Sequence, residues 1–373
     1  ILPPMSNIFS QSASLKILSP AELFILITPP MVAEDQSVVS GQSYLLVDLD
    51  QPATRNMPTS KPNCPVIGIT ERPNTGKRSL ESSRSGSNNE FEISAWVDLV
   101  IQLPEEQVLL EQIVATITSQ PLAAATFVGV LRETENLSIS QGLMVESLAY
   151  STLQNSQGFR TWLSNRSNTV AQVPATETAD QGPVVLVERN PRAYLNAQIS
   201  HGDTLTLMLN RPTKRNAFCA AMRDELALAL NLALADKSLA HIVISGRGSA
   251  FCAGGDLTEF GQSQDAALAH LTRLTRSPAN LIAQLREKIL VRVHGACIGA
   301  GIELPAFANT ISAQPNSVFA LPEVGFGLIP GAGGTVSIPR RIGRQNTAKL
   351  GLSGASIDAN QALRWGLIDV IKD

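Results

Sequence analysis

The chain lacks most of what would mark it for a membrane, for nucleic acid or for an oxidising compartment. Its most apolar early run, Leu23-Phe24-Ile25-Leu26-Ile27, is bracketed by Pro20, Glu22 and Pro29-Pro30. That run falls well short of the roughly 20 apolar residues a spanning helix needs, so no membrane association is expected. Lys16 is the only positive charge ahead of it, too little for a secretory n-region. An excess of one charge is also missing: 29 Lys+Arg stand against 32 Asp+Glu, a net charge of −3. A nucleic-acid binder would carry a basic surplus. Cysteine is scarce. Cys64, Cys219, Cys252 and Cys297 form no C-x-x-C pair and none sits beside histidine at zinc-ligand spacing, so neither a disulfide framework nor a metal site is indicated. Reduced thiols in a cytoplasmic protein are the expectation.

What is present bounds the rest. A length of 373 residues suits two ordinary domains, and 44% hydrophobic content fills a sizeable core. Charged residues make up only 16%, which suggests surface covered by another subunit or domain. Two polar stretches punctuate the chain. Residues 72–90 read as a flexible loop, and residues 164–182 as the main interdomain linker. Residues 1–39 are expected to be a disordered leader or appended material, with Met31 a plausible native start. Residues 40–166 run from strands (44–50, 66–70, 96–102) to helices (105–119, 123–132, 137–153), the last with Leu143, Leu148 and Leu153 inward. Residues 167–199 hold the linker and a first strand.

From residue 200 to 373 strand and helix alternate, the mark of an α/β domain. Thr204–Asn210, His241–Ser245 and Ile289–Val293 are predicted strands. Phe218, Met222, Leu226 and Leu230 recur every four residues, an amphipathic helix. Leu281–Glu287 and a small-residue run from Ala306 are the other predicted helices. Three glycine-rich junctions interrupt this pattern: Gly246–Leu257, His294–Glu303 and Leu321–Gly334. Glycines at strand ends let a ligand approach the backbone and leave N–H groups free to point at it. A helix start adds partial positive charge, which suits an oxygen gaining negative charge in a reaction. No Gly-Lys-Ser/Thr follows any junction and no dinucleotide fingerprint occupies a strand–turn–helix setting. Tight turns without function fit any one junction equally well.

Taken together, the runs Ala250-Phe251-Cys252-Ala253-Gly254-Gly255-Asp256-Leu257 and Gly327-Leu328-Ile329-Pro330-Gly331-Ala332-Gly333-Gly334-Thr335 closely resemble the crotonase (enoyl-CoA hydratase/isomerase) superfamily. Leu209-Asn210-Arg211-Pro212, Lys214-Arg215-Asn216-Ala217 and Trp365-Gly366-Leu367-Ile368-Asp369 match it as well. The resemblance covers about residues 200–373. It implies a spiral of ββα repeats and, position by position, an oxyanion hole made by the backbone N–H groups of Gly255 and Ala300. It also implies two catalytic glutamates, Glu303 and Glu323, and substrate contacts at Lys214, Arg215, Ala217, Ala253, Gly254, Asp256, Leu257, Gly299, Pro322 and Gly331. A solvated basic turn fits Lys214 and Arg215 equally well, and Asp256 reads as closing its loop by accepting N–H bonds.

The activity so implied is that of a lyase of fatty-acid metabolism, hydrating a 2-enoyl-CoA or dehydrating the 3-hydroxyacyl product. The alternatives are an enoyl-CoA isomerase and a non-catalytic acyl-CoA scaffold. The implied partner is an acyl-CoA thioester, with coenzyme A part of the substrate and no further cofactor, and the implied assembly a homotrimer or a multiple of it. Pro305, so close behind Glu303, requires the intervening helix to begin near Ile302. The family ends in a helical region that this chain lacks after Asp373. Residues 110–163 resemble that region, so 40–166 are expected to be a degenerate crotonase-like half, without a second active site, whose helices cover the core.

Overall fold

The structure is a computed structural model, and it describes residues 16–28, 36–52, 61–72, 93–170, 182–191, 194–195, 198–199, 202–262 and 265–372. The loop expected at 72–90 and the centre of the linker at 164–182 lie almost wholly outside them. The chain divides into two compact units, Ile1–Pro121 and Leu122–Asp373.

The first unit is built on a parallel four-stranded sheet in the order β1-β2-β3-β4: β1 (Ile17–Leu18), β2 (Leu45–Asp48), β3 (Val66–Thr70) and β4 (Leu99–Gln102). Helices α1 (Pro20–Ile27) and α2 (Gln107–Ser119) accompany it. The reading of residues 1–39 as a leader fails for 17–27. Ser19 and Glu22 form a reciprocal capping box that starts α1. Leu18 and Leu23 are then buried with Leu45, Val47, Cys64 and Val66.

The second unit begins with three helices: α3 (Pro121–Thr134), α4 (Ile139–Leu153) and α5 (Gln157–Val170). Sequence placed the boundary at 164–182; the structure places it ahead of these helices, which pack on the C-terminal core. Their apolar faces need partners and find them there. Phe127 lies where a side chain on Gly351 would stand, and Val336 fills the space beside Gly142. Polar contacts follow suit, with the Thr134 hydroxyl donating to the Thr335 carbonyl at 3.1 Å. The polar stretch after residue 164 marks a connection, not the edge of a unit.

The core is a six-stranded sheet ordered β15-β12-β10-β9-β8-β5. Its strands are β5 (Val185–Asn190), β8 (Asp203–Leu209), β9 (Leu239–Gly246), β10 (Ile289–Val293), β12 (Thr310–Ala313) and β15 (Val370–Ile371); a small hairpin of β6 (Tyr194–Leu195) and β7 (Gln198–Ile199) precedes β8. β5 pairs antiparallel with β8 and the remaining pairs are parallel. A second sheet joins β11 (Ala296–Ile298), β13 (Val318–Ala320) and β14 (Ile357–Asp358). Because β10 pairs with β12 while β11 pairs with β13, each strand–junction–strand turn stacks on the one before. The backbones at Cys252 and Cys297, and at Phe218 and Gly255, pair in the same parallel sense, the two thiols remaining free. The expected spiral therefore has a concrete cause: parallel rungs in two sheets bring the glycine junctions onto adjacent levels.

The helices α6 (Ala220–Ala235), α7 (Ala266–Thr275), α8 (Pro278–Gln284), α9 (Ala300–Glu303), α10 (Gly334–Ser337), α11 (Pro339–Ser353) and α12 (Ala359–Trp365) complete the unit. Two sequence expectations need correction here. The predicted helix from Ala306 is only a 3-10 turn at Pro305–Phe307 before β12, because Pro305 removes the N–H that would extend α9. Likewise α9 begins at Ala300, two residues before the start that Pro305 suggested.

Candidate active site

The site is assembled at three backbone junctions, each shaped by a place where no side chain fits. Gly299 lies at φ +50°, and a Cβ there would come within 2.2 Å of Glu323 Oε1. A Cβ on Gly301 would stand 2.2 Å from the Cys252 carbonyl oxygen, so the first and second junctions touch through bare backbone. Gly334 is pressed by Glu303, whose Oε2 would lie 2.9 Å from an added Cβ. All three positions need glycine for the close approach, and Gly299 needs it for its positive φ as well.

The same contacts bring the two carboxylates together. Glu303 closes the short helix α9, and its Oε2 accepts N–H bonds from Ala332 at 2.7 Å and Gly334 at 2.9 Å. Its other oxygen faces the Gly299 backbone, 3.6 Å from the point where Glu323 Oε1 also makes its approach. Glu323 opens the turn Glu323–Phe326, and its Oε2 is buried without a hydrogen-bond partner. Burial pushes the Glu323 carboxyl up to about 8, helped by the charge of Glu146. Glu303 is raised well above the usual carboxylate range, first by burial and then by the charges of Glu323 and Glu146, against its two amide donors. Buried acids this close share protons near neutral pH. The two amide bonds oppose the upward shift of Glu303, while the bare Oε2 of Glu323 has no donor to oppose its own.

Facing them are two backbone donors. Among the described residues the N–H groups of Gly255 and Ala300 have no protein acceptor, and Ala300 is the first residue of α9. Both residues line one cavity of about 210 Å³ together with Glu303, Glu323, Asp256, Gly331 and Ala332. Asp256 is already engaged: it accepts from Thr258 N at 3.0 Å and pairs with Arg211 at 2.9 Å, which fixes the Gly254-Gly255 loop.

Of the residues the resemblance pointed to, Gly255, Asp256, Ala300, Glu303, Glu323 and Gly331 meet in this cavity. Lys214, Arg215, Ala217, Ala253, Gly254, Leu257, Gly299 and Pro322 do not line it. Arg215 is exposed at φ 48° and its carbonyl accepts from Ala253 N, while the Gly254 carbonyl accepts from Phe218 N at 2.7 Å.

Sequence reasoning missed Tyr150, Gln154, Arg223 and Arg273, which also line the cavity. It missed Glu146 too, a buried residue of α4 that accepts from Gly333 N at 2.7 Å, Thr335 N at 2.9 Å and the Thr335 hydroxyl at 2.7 Å. Burial pushes its carboxyl up to about 7. Glu146 thus holds the loop whose amides hold Glu303. Its one local signal was the four-residue spacing of Gly142, Glu146 and Tyr150 along a helix face. His270 Nδ1 meets the Ser147 hydroxyl and His294 Nε2 the Gly248 carbonyl, each at 2.9 Å. Neither lines the cavity.

Comparison with known proteins gives this geometry a context. Residues 202–372 match the family described as enoyl-CoA hydratase/isomerase. A 2,3-dehydroadipyl-CoA hydratase of Escherichia coli is 38% identical over 167 residues, covering 44% of this chain and 64% of the relative. A mevalonyl-coenzyme A hydratase of Aspergillus fumigatus is 36% identical over 168 residues, 44% of this chain and 61% of its own length. A 1,2-epoxyphenylacetyl-CoA isomerase of Escherichia coli is 32% identical over 174 residues, 45% of this chain and 66% of its own. In each case the chain spans about six-tenths of the relative, and hydratases and isomerases both occur among them.

Proposed function

Since residues 202–372 belong to the enoyl-CoA hydratase/isomerase (crotonase) superfamily, we propose that this protein catalyses reversible hydration of 2-enoyl-CoA thioesters. One observation carries the choice of reaction: Glu303 and Glu323 border the same spot at Gly299, in a cavity that also presents the unpaired N–H groups of Gly255 and Ala300.

The chemistry follows from that arrangement. With the thioester oxygen against the two N–H groups, the double bond is polarised and the enolate formed on attack at C3 is stabilised. Each such donor is typically worth about 2.7–4 kcal/mol in the transition state. Glu303, whose Oε2 is held in place by two amides, takes the proton of the attacking water. Glu323, held neutral by burial, delivers a proton to C2. The two groups then exchange roles for the reverse dehydration. A double-bond isomerase needs only one group to move a proton between two carbons, and a scaffold needs neither.

The test is loss of enoyl-thioester absorbance with crotonyl-CoA, for the wild type and for Glu303→Gln and Glu323→Gln. Each variant is expected to lose turnover while still binding a saturated acyl-CoA. Full rates in both variants would refute the two-carboxylate mechanism. Migration of the double bond without uptake of water would select the isomerase.

A further inference from the structure

The cavity that holds the carboxylate pair continues into a smaller one of about 60 Å³, and Phe218, Arg223, Arg273, Gly331 and Ala332 line both. Gly331 and Ala332 flank Glu303, so an acyl chain leaving the reacting carbons past this pair of residues runs toward the second space. That end is unusually basic for a fatty tail: Arg223, Arg273 and Arg276 border it, with Glu146 the one acid.

The three arginines are not equivalent. Arg223 and Arg276 share Asp224, at 2.8 and 2.5 Å. Among the described residues Arg273 has no such partner. Its Nε donates to the Ser147 hydroxyl at 3.0 Å and its Nη2 to the Ser147 carbonyl at 3.3 Å and to the Ser151 hydroxyl. The Tyr150 ring covers it at 4.8 Å. Among the described residues its Nη1 has no acceptor and no carboxylate lies within ion-pair distance of it. The acids around it are committed elsewhere. Glu146 holds Gly333 and Thr335, Asp256 holds Arg211, and Glu259 accepts from Ala220 N at 2.9 Å. A half-buried guanidinium fixed by neutral hydroxyls, a carbonyl and one aromatic face, with its Nη1 unused, is a prepared site for an incoming carboxylate. Burial also disfavours its charged form, a cost that an anionic ligand would offset.

We propose that Arg273 makes the distal end of the acyl cavity a carboxylate site, so that the preferred thioesters are ω-carboxyacyl-CoAs, the half-thioesters of dicarboxylic acids. The proposal rests on the reading of this cavity as an acyl-CoA site. It makes Arg273 a specificity residue that touches substrate but takes no part in the proton transfers.

Binding and turnover are measured separately, so that the two readings fail separately. Adipyl-CoA and hexanoyl-CoA have the same six-carbon chain and are saturated, so neither can be hydrated. By calorimetry, adipyl-CoA is expected to bind the full chain at least about tenfold more tightly, as a charge-assisted contact to Nη1 allows. In Arg273→Met the preference collapses, with hexanoyl-CoA held as well as before. Arg273→Lys retains part of it. Tighter or equal binding of hexanoyl-CoA by the wild type would overturn the proposal, and that comparison needs no variant to fold. Equal weakening of both ligands in Arg273→Met would also overturn it, leaving Arg273 a clamp between α4 and α7. If neither thioester binds, the acyl-CoA reading itself falls and takes the proposal with it. A retained preference without hydration of any enoyl-CoA would sink only the hydratase assignment.

Discussion

Replacing Glu323 with glutamine keeps the side chain's shape and removes its proton traffic, and the structure assigns that change two separable consequences. The first is kinetic. A positioned general acid/base typically contributes about 10²–10⁴-fold, or about 3–5 kcal/mol of barrier at about 1.4 kcal/mol per factor of ten. Turnover should fall by that range, while the Kd of a saturated acyl-CoA moves by less than about threefold, because a group that acts only on the transition state adds nothing to ground-state affinity. The second is a pH-dependent gain in stability. Burial raises the folded-state pKa of Glu323 to about 8, so the folded protein binds a proton that the unfolded chain releases near the ordinary glutamate value. Such a group supports the fold below the unfolded pKa, and that support is lost as pH rises through about 8. Below about pH 5 a protonated glutamate and a glutamine are near equivalents, so the two proteins should melt together. Above pH 8 the variant should melt higher. Thermal denaturation from pH 5 to 9, beside steady-state kinetics at pH 7, reads both effects. Parallel melting curves across that range, or a kcat within threefold of the wild type, would refute the placement of a buried proton-transferring acid at this position.

Gly299→Ala sets a Cβ at 2.2 Å from Glu323 Oε1 on a backbone at φ +50°. It is expected to cost about 1–2 kcal/mol of stability through the left-handed conformation and, by displacing the carboxylate, about 100-fold in kcat, read by denaturant unfolding and initial rates. Glu146→Gln puts an N–H₂ group against amides that need an acceptor. It should lower stability by about 1–3 kcal/mol and reduce kcat without changing which substrates are used, whereas an unchanged kcat would separate Glu146 from the alignment of Glu303.

Much of the site was legible because its chemistry is local in sequence. The junctions at 250–257, 296–303 and 321–334 each put backbone donors, bare glycines and a carboxylate within a dozen residues, and such runs survive as readable strings. The spiral followed from the same strings. The residues that stayed hidden belong to another kind of surface. Helix 139–153 was read by its leucines, which turned Leu148 inward. In the structure Leu148 is 50% exposed, while Gly142, Glu146, Ser147 and Ser151 are buried. Leu143 and Leu153 are buried as expected, but a helix that docks on a functional site also presents polar groups to it, which a rule that seeks apolar stripes does not find. Arg273 was invisible for the same reason, since its partners Ser147, Tyr150 and Ser151 lie more than a hundred positions away. The capping box at Ser19 and Glu22, by contrast, is legible in the sequence, because a serine three residues ahead of a glutamate at the head of an apolar run marks a helix start.

Chain order and functional order are different things in this protein. Helices 121–170 precede the core that they complete, yet their link to the chemistry is short and specific. Glu146 holds the amides of Gly333 and Thr335, and the neighbouring amides of Ala332 and Gly334 hold Glu303. The same helix sends Tyr150 into the cavity and supplies the hydroxyls of Ser147 and Ser151 that orient Arg273. A single element therefore touches the proton-transfer pair through one hydrogen-bonded loop and the distal arginine through another face. A change of sequence on α4 can retune the cavity's far end at Tyr150, Ser147 or Ser151 while Glu146 keeps the catalytic geometry in place. Substrate range can vary on this scaffold without rebuilding the glycine junctions, because hydrogen bonds, not position along the chain, join the helix to the site.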